Sequence, residues 1–403
     1  MAERDRDLAV ALTYYVPYVS GLSDAARAIS EGLVARGWRV TVVATQHHPR
    51  LPARETLSGV EIIRTPVIAH VGKGTVSPSF VPTIARVAKQ SRALLLHLPL
   101  LEAGIITSVV RRTPIVSIYQ CDVSLPAGFV SRAQTMAIDL SSRVACRRSR
   151  AVVASSMDYA QSSRISATLL PRLRVIPPPC RLRSGGTPAF RETGGIHVGF
   201  LGRLVEEKGI EYLVDGFRML ADPAARLLLA GDFATVAGGS VVDRVRRRAA
   251  GDPRIRLLGF LPDSQVADFY ASIDVLALPS INRLEAFGIV QAEALMLGIP
   301  VVASDLPGVR MPILEVGLGR LVRPRDSDAI TDALTSRVPR PEERRQAASR
   351  ARELWGAEPV LDRFAELLSS VADTPRTAPG GGLQSEMTAP ADSKGGSNNA
   401  RTS

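Results

Sequence analysis

Short runs of apolar residues, many of them β-branched, alternate with amphipathic helical patterns along most of the sequence. The run DLAVALTYY at residues 7–15 predicts a buried strand, and the segment 24–37, which ends at Gly37, predicts a helix. A second strand pattern, WRVTVVAT, follows at 38–45. Strands that alternate with helices are typical of doubly wound parallel sheets, so the sequence predicts an α/β fold.

The alternation occurs in two series, which predicts two domains. The second series begins near residue 196, after a segment rich in Pro, Gly and Ser at 177–195 that is predicted to be a linker. A length of 403 residues is sufficient for two domains, each with its own core. We therefore predict two Rossmann-like parallel-sheet domains that face each other across a cleft, with a ligand at the carboxyl ends of their strands.

The predicted boundaries divide the chain into four segments. A helical pattern over 341–371 is interrupted near Gly356, and from about residue 372 the chain is mainly Gly, Ser, Thr, Pro and Asn. Such a composition buries too little apolar surface to fold. The segments are an N-terminal domain at 1–180, a C-terminal domain at 181–354, a C-terminal helix at 355–372 that we expect to pack on the N-terminal domain, and a disordered tail at 373–403.

The composition favours a soluble protein of the reducing cytoplasm. The three cysteines form no closely spaced pair, so neither a zinc site nor a disulfide framework is indicated. Residues 1–17 carry charges of both signs and lack an apolar centre, which is unlike a signal peptide. The most apolar long window, 93–110, contains His97, Pro99 and Glu102, and it fits a strand, a turn and a helix better than a membrane span.

The excess positive charge is confined to the first half of the chain. Residues 1–180 contain 22 Lys and Arg against 11 Asp and Glu, whereas residues 181–403 contain 28 of each class. Three interpretations compete: arginines that maintain solubility, attraction to an anionic lipid surface or acidic acceptor, and nucleic-acid binding. Nucleic acid is disfavoured because the sequence lacks a basic motif interleaved with aromatic residues.

Two glutamates with seven residues between them, Glu285 and Glu293, lie in the segment SINRLEAFGIVQAEALMLGIPVVASDLPG at 280–308. A helix is predicted to begin close to Phe287-Gly288, and a helix N-terminus offers unpaired N–H groups and a partial positive charge to a phosphate. Carboxylates accept hydrogen bonds from hydroxyls, so the two glutamates suit sugar hydroxyls on either side of that phosphate. The alternative is an ordinary exposed helix with solvated glutamates.

A second charged segment, GFLGRLVEEKGIEYLVDGF at 199–217, follows the first strand pattern of the second domain. It places Arg203 and Lys208 near the carboxyl end of that strand, where two cations suit a diphosphate. A solvated charged turn is the alternative interpretation.

Two segments together resemble the paired signatures of family 4 retaining glycosyltransferases, which have the GT-B fold. They are GRLVEEKGIEYLVDGF and PSINRLEAFGIVQAEALMLGIPVVASDLPG. The segment 14–45 is similar to the family's opening strand, glycine loop and helix. The segments 119–128 and 155–163 fall where the family has a histidine-containing loop and the last strands of its first domain. The resemblance covers about residues 8–370. It implies that the first domain receives the acceptor and the second binds the nucleotide-sugar donor.

The resemblance also implies roles for individual residues. Glu293 would bind the ribose of the nucleotide, and Glu285 would face hydroxyls of the donor sugar. The segments 227–233 and 259–265 would lie near the nucleobase. The other donor-binding positions would surround the diphosphate: Arg203 and Lys208 as cations, Gly21 as the point of close approach from the first domain, and the backbone at Phe287, Gly288 and Ile289.

The first-domain loop departs from the family pattern. Many family members have histidine where this chain has Gln120, and glutamine can bond a sugar hydroxyl but cannot transfer a proton. The family's retaining reaction is thought to use the leaving diphosphate as the proton acceptor, so that no side-chain base is required. The candidate catalytic residues are Glu285, Gln120 and Asp122. His97 has two interpretations, a residue that faces the cleft or a buried structural histidine.

The residues and the resemblance together predict a retaining hexosyltransferase that uses a UDP- or GDP-sugar. The acceptor hydroxyl would belong to a glycan, a lipid phosphate or a small molecule. We expect no metal and no other cofactor, no nucleic-acid partner, and contact of the basic N-terminal domain with an anionic membrane as one interaction. The alternatives are another GT-B activity, such as a sugar-nucleotide epimerase or a phosphorylase, and a non-catalytic nucleotide-sugar-binding partner protein.

Overall fold

The computed structural model describes residues 6–18, 20–71, 74–123, 128–232, 240–337 and 339–373. Residues up to Ala372 form one compact unit, and Asp373–Ser403 form a second. Of the second unit only Asp373 is among the described residues, so the predicted tail at 373–403 lies almost entirely outside them.

The first half of the chain builds one large sheet and one small one. Its described strands are β1 (Asp7–Ala11), β2 (Arg39–Thr45), β3 (Arg54–Leu57), β4 (Val60–Thr65), β5 (Ala69–Val71), β6 (Gly74–Val76), β7 (Ala93–Leu98), β8 (Ile115–Tyr119), β9 (Ala151–Ala154) and β10 (Leu173–Val175). Eight of them form a sheet in the order β10-β9-β8-β7-β1-β2-β4-β3. Neighbours in this sheet are parallel except β3 and β4, and β5 pairs with β6 as a separate antiparallel ribbon.

The second half builds a fully parallel sheet. Its described strands are β11 (His197–Leu201), β12 (Arg226–Ala230), β13 (Ile255–Gly259), β14 (Val275–Leu278), β15 (Val301–Ser304) and β16 (Gly319–Val322). They lie in the order β13-β12-β11-β14-β15-β16. The prediction of two α/β domains with parallel sheets is confirmed.

Helices cover both faces of each sheet. The described helices are α1 (Gly21–Ala35), α2 (Phe80–Gln90), α3 (Ala103–Val109), α4 (Phe129–Arg148), α5 (Met157–Ser162), α6 (Ser166–Leu169), α7 (Ile210–Arg218), α8 (Val242–Ala249), α9 (Asp263–Ser272), α10 (Ile289–Met296), α11 (Met311–Val316), α12 (Ser327–Leu334), α13 (Pro341–Trp355) and α14 (Ala357–Asp373). In β1, Leu8 and Val10 point into the core under α1 and α14, while Ala9 and Ala11 point into the core under α2 and α3.

The loop between β1 and α1 differs from its prediction at both ends. The strand predicted through residue 15 ends at Ala11, and the chain turns at Tyr15, whose carbonyl accepts from the N–H of Tyr18 at 3.1 Å. The helix predicted from residue 24 begins at Gly21 because Ser20 caps it. The Ser20 hydroxyl accepts from the N–H of Ser23 at 3.1 Å, and the Ser23 hydroxyl accepts from the N–H of Ser20 at 2.9 Å.

The chain passes between the two sheets at two adjacent points. The N–H of Cys180 donates to the carbonyl of Trp355 at 2.9 Å, and Cys180 forms an isolated parallel bridge with Gly356. Beyond this bridge, α14 contributes Val360 and Phe364 to the core beneath the first sheet. Because the two connections are hydrogen-bonded to each other, they form a single narrow joint.

Candidate active site

The two charged segments of the second domain meet because they follow neighbouring strands. β11 and β14 lie side by side in the middle of the second sheet, so their carboxyl ends open at the same point of its edge. The segment after β11 contains a 3₁₀ turn, Glu206–Lys208. The N–H of Ile281, just after β14, donates to the carbonyl of Glu207 at 2.9 Å. This contact fixes the turn against the loop that contains Glu285.

Lys208 and Glu285 form an ion pair at this edge, with the Lys208 ammonium donating to the Glu285 carboxylate. Both side chains are partly exposed, so the pair can meet a ligand. Arg203 is more exposed, and its nearest carboxylate is that of Glu207 at 3.7 Å. The structure therefore groups three of the residues predicted to act on the donor sugar and diphosphate.

The N-terminus of α10 adjoins the ion pair. Gly288 is its N-cap and has φ +81°, and a Cβ there would lie 2.5 Å from Cδ2 of Leu278. The phenyl ring of Phe287 is buried edge-on against Trp355, with ring centroids 6.0 Å apart. Only the backbone of this turn is thus available to a ligand, and the first N–H groups of an α-helix lack acceptors within the helix.

Glu293 lies deeper in α10, and its carboxylate already has two partners. It is 5% exposed, and it accepts from the Tyr270 hydroxyl at 2.9 Å and from Nε of Arg183 at 3.3 Å. Burial raises the pKa of Glu293, and Arg183 opposes this effect. Arg183 also donates to Asp263 at 2.6 Å. The sequence analysis missed Tyr270 and Arg183, and Arg183 stands in a segment with no signal other than that of a linker. Asp263 lies in the segment 259–265 that was expected near the nucleobase.

Gly21 occupies the first position of α1 in the other domain. An added Cβ would meet nothing within 4 Å, so the space in front of this turn is open. One turn further, the Asp24 carboxylate interacts electrostatically with Arg181 and Arg183, while burial raises its pKa. The beginning of α1 therefore faces the side of the second domain that holds Glu293.

Gln120 follows β8 and is paired with His97 at the end of β7. Its side-chain amide nitrogen lies 2.9 Å from Nδ1 of His97. The side chains of Gln120 and His97 are therefore hydrogen-bonded to each other. His97 is fully buried, and burial lowers its pKa to about 4. Of its two interpretations, the structure supports the buried one, with the ring behind Gln120 rather than in the cleft.

Asp122 is not placed as a catalytic residue, which corrects its prediction. It is 1% exposed, and its carboxylate accepts from the hydroxyls of Tyr119 and Ser163 and, at 3.4 Å, from the N–H of Arg164. Both oxygens of Asp122 are thus bonded within the first domain, and its carboxylate does not face the cleft. The local sequence around Asp122, which lies two residues after Gln120, does not indicate that the carboxylate is buried.

Asp122 instead helps to connect the two domains. Its N–H donates to the Tyr159 hydroxyl at 2.6 Å, and that hydroxyl donates to the carbonyl of Arg283 at 2.9 Å. Nearby, the Ser155 hydroxyl donates to the carbonyl of Ala286 at 3.0 Å. The first-domain loops are therefore bonded directly to the loop on both sides of Glu285.

A further contact on this side of the cleft is ionic. The Asp158 carboxylate accepts from the N–H of Gly308 at 2.8 Å and from Nε of Arg310 at 3.0 Å. Sequence reasoning missed these residues, since a lone aspartate at a helix start is an ordinary feature of helices.

A cavity of about 640 Å³ lies elsewhere on the second domain. It opens at the amino ends of the strands, beside Ile196, Val275 and Val301, which is the edge opposite to the Lys208–Glu285 pair. Among the described residues, no three His, Cys, Asp or Glu side chains group as metal ligands. No helix in the described part of the chain is long and apolar enough to cross a membrane.

Comparison with known families identifies both halves of the chain. The model for the 4-like glycosyl transferase domain matches residues 20–179, and the model for group 1 glycosyl transferases matches residues 190–354. The chain belongs to the group 1, family 4-type glycosyltransferases. The resemblance stated from the sequence motifs is confirmed, and so is the GT-B fold.

Individual relatives match parts of this chain. It is 30% identical over 201 residues to D-inositol 3-phosphate glycosyltransferase of Xylanimonas cellulosilytica, covering 46% of this chain and 48% of the relative. It is 36% identical over 139 residues to phosphatidyl-myo-inositol mannosyltransferase of Mycobacterium leprae, covering 34% and 36%. The chain thus spans half or less of the length of these curated relatives.

A solved structure matches nearly the whole chain. HepE of Anabaena, determined in complex with UDP and glucose, superposes with a TM-score of 0.70 at 18% identity, covering 91% of this chain and all of that chain. At this identity the likeness shows the fold alone.

The two glycines of the site should respond differently to alanine. Gly288→Ala should lower the free energy of unfolding by more than about 1 kcal/mol, because alanine is strained at positive φ. Gly21→Ala should change it by less than about 0.5 kcal/mol, because the added methyl enters open space. Urea unfolding monitored by circular dichroism measures both. Equal losses in the two variants would contradict this placement of the turns.

His97 should make the protein sensitive to mild acid. Its pKa is about 4 when folded against 6.5 in the unfolded chain, so protonation on unfolding destabilises the fold as pH falls below 6.5. Between pH 7 and pH 5 the wild type should lose about 2 kcal/mol more than His97→Gln. Urea unfolding at both pH values measures the difference, with exposed His48→Gln as control. An equal loss in wild type and His97→Gln would contradict the buried, neutral state.

Proposed function

We propose that this protein transfers a hexosyl group from a nucleoside diphosphate sugar to an acceptor hydroxyl, with retention at the anomeric carbon. The observation that carries the proposal is the Lys208–Glu285 ion pair beside the N-terminus of α10. It sets a cation and free backbone N–H groups next to a carboxylate that can accept from hydroxyls. In a sugar diphosphate, the phosphate and the sugar hydroxyls are likewise adjacent, so the phosphate would meet the cation and N–H groups while the hydroxyls would meet the carboxylate.

The nucleoside would lie on the Glu293 side of the Lys208–Glu285 ion pair. Ribose hydroxyls would donate to the Glu293 carboxylate at the oxygen now held at 3.3 Å by Arg183, which is the longer of its two contacts. Tyr270 would keep the other oxygen in place. Arg183 supports this role because a cation favours the ionised form of a buried carboxylate, and only that form accepts at both oxygens.

The reaction would depend on positioning and on stabilisation of the leaving charge. The bond between the anomeric carbon and the diphosphate oxygen breaks, the acceptor oxygen bonds to the same face of that carbon, and its proton passes to the departing diphosphate. Lys208, Arg203 and the N-terminus of α10 would stabilise the negative charge without a metal ion. Gln120, oriented by His97, would bond a hydroxyl of the transferred sugar.

The relatives indicate where to look for the donor and the acceptor. HepE was determined with UDP and glucose, which supports UDP-sugars as the first donors to assay. The two curated relatives are named for an inositol phosphate and a phosphatidylinositol. An acceptor that carries phosphate also agrees with the excess positive charge of residues 1–180.

A second candidate function is that of a non-catalytic nucleotide-sugar-binding protein. Gln120 favours it, since the family's histidine is absent from the loop that faces the transferred sugar. Turnover distinguishes the two candidates, because both require donor binding and only the enzyme releases nucleoside diphosphate with a glycosylated product.

The decisive experiment incubates UDP- and GDP-sugars with a panel of phosphorylated and neutral acceptors. Proton NMR should show the product with the anomeric configuration of the donor. Glu285→Gln should lower kcat by roughly 10²-fold, because it removes a charged acceptor at the sugar. The Kd for UDP or GDP should not rise by more than about three-fold, because Glu285 is not expected to touch the nucleoside and its loss leaves the Lys208 charge in place for the diphosphate.

Glu206→Gln is the matched control, because Glu206 is exposed on the same turn as Lys208 and should leave kcat unchanged. An inverted product would contradict retention. Donor consumption that yields an epimerised sugar without any acceptor would support an epimerase. Donor binding without turnover on the whole panel would support the binding protein.

A further inference from the structure

An apolar surface on the first domain has no partner within the described structure. Nine described large apolar side chains are more than half exposed, and six of these lie on or beside α3 and α4. A concentration of this kind marks an interaction site, whereas scattered single exposures are normal. The six define the apolar face: Leu101 (55% exposed), Ile105 (58%), Val109 (51%), Phe129 (87%), Met136 (72%) and Leu140 (63%).

The apolar face is continuous because the two helices are packed together. Its members recur at intervals of four on α3 and of seven and four on α4, so each set forms one row along its helix. The N–H of Gly104 donates to the Ser141 hydroxyl at 2.9 Å, and a Cβ at Gly104 would lie 3.4 Å from Cα of Ser141. Ile105 and Leu140 adjoin these two residues, so the row on α3 meets the C-terminal end of the row on α4.

Core packing does not account for these side chains. The opposite sides of the same helices are buried under the first sheet, with Ala103 and Ile106 from α3 and Ala145 and Cys146 from α4. Each helix thus has one apolar side in the core and another in solvent.

Exposed arginines border the apolar face. None of these arginines forms an ion pair with a described carboxylate. The one acid on the neighbouring turns of α4, Asp139, is bonded to Arg164. The arginines form the basic rim, and all six are exposed: Arg111, Arg112, Arg132, Arg143, Arg147 and Arg148.

The apolar face also reaches the cleft. Because Ser141 meets the beginning of α3, the residues of α4 from Phe129 to Leu140 extend past α3 by roughly 18 Å. In a parallel α/β sheet, helices begin at the carboxyl edge of the strands, which is where the cleft lies. The extension therefore points to the edge at which Gln120 follows β8.

We propose that the apolar face and the basic rim seat the protein on an anionic lipid bilayer, so that the cleft opens toward an acceptor held in that membrane. The apolar side chains would enter the boundary between headgroups and acyl chains, and the arginines would bind lipid phosphates. This combination of apolar residues and flanking basic residues is the pattern of helices that lie in a membrane surface. The lipid acceptor rests on the proposed transferase function, whereas the docking itself does not.

The charge selects a bilayer over a second copy of this chain. A two-fold dimer through this surface would place the basic rim of one protomer close to that of its partner, with like charges facing. An anionic surface instead pairs with every arginine of the rim. Residues 181–403, which include the second domain, have balanced formal charges and thus no comparable excess.

Vesicle flotation tests the proposal with the full chain. The wild type should bind phosphatidylcholine vesicles that contain about one third phosphatidylglycerol, and should not bind pure phosphatidylcholine. Binding should weaken at high salt. Leu140→Gln and Phe129→Ser should each weaken it roughly ten-fold. Arg143→Gln and Arg147→Gln should each weaken it roughly five-fold.

Leu314→Gln is the matched control, because Leu314 is similarly exposed on the second domain, and this variant should bind like the wild type. Equal binding to both kinds of vesicle, or wild-type binding by the face variants, would overturn the proposal. So would a wild-type dimer in solution that Leu140→Gln dissociates. Titration with UDP in the absence of vesicles reports on the donor site alone. Failure of the proposed transferase function can therefore be distinguished from failure of membrane docking.

Discussion

The site depends on the adjacency of β11 and β14 at the centre of the second sheet. These strands bring two loops together that are far apart in the sequence, and the Lys208–Glu285 ion pair joins them at the carboxyl edge. If these two strands were not neighbours, Lys208 and Glu285 would each be solvated. That is also the simplest interpretation of either sequence segment taken alone. In the proposed complex, the ion pair would place opposite charges where a sugar diphosphate changes from anionic phosphate to neutral hydroxyls, and the N-terminus of α10 would add donors that need no side chain.

The first domain is attached to this site in two ways. On one side, the paired passages at Cys180 and Gly356 form a narrow joint between the two sheets. On the other side, Tyr159 is bonded to the carbonyl of Arg283, two residues before Glu285. The same hydroxyl accepts from the N–H of Asp122, so the loop that carries Gln120 and the loop that carries Glu285 are held by one side chain. Asp122 is therefore buried, but through its N–H it helps to fix the position of these two loops in the cleft.

Regular secondary structure can be predicted from this sequence, whereas contacts between distant loops cannot. Strand and helix alternation predicts both sheets, and the ends of two strand patterns predict Lys208 and Glu285. The start of α1 at Gly21 was missed because Ser20 and Ser23 form their cap within a loop pattern. The bond between Arg183 and Glu293 could not be predicted, since it joins a linker residue to a helix more than a hundred positions away. Burial of Asp122 is likewise set by Tyr119 and Ser163, which no local pattern connects.

Calorimetric titration with UDP and with GDP tests the central claim most directly, because it examines the donor site without the acceptor or the chemistry. The wild type should bind one nucleotide with a micromolar Kd. Glu293→Gln, which keeps the side-chain shape but removes the charge, should weaken that binding at least about ten-fold. The exposed Glu206→Gln should leave it unchanged. If neither nucleotide binds the wild type, the carboxyl edge of the second sheet is not a nucleotide-sugar site and the account is wrong.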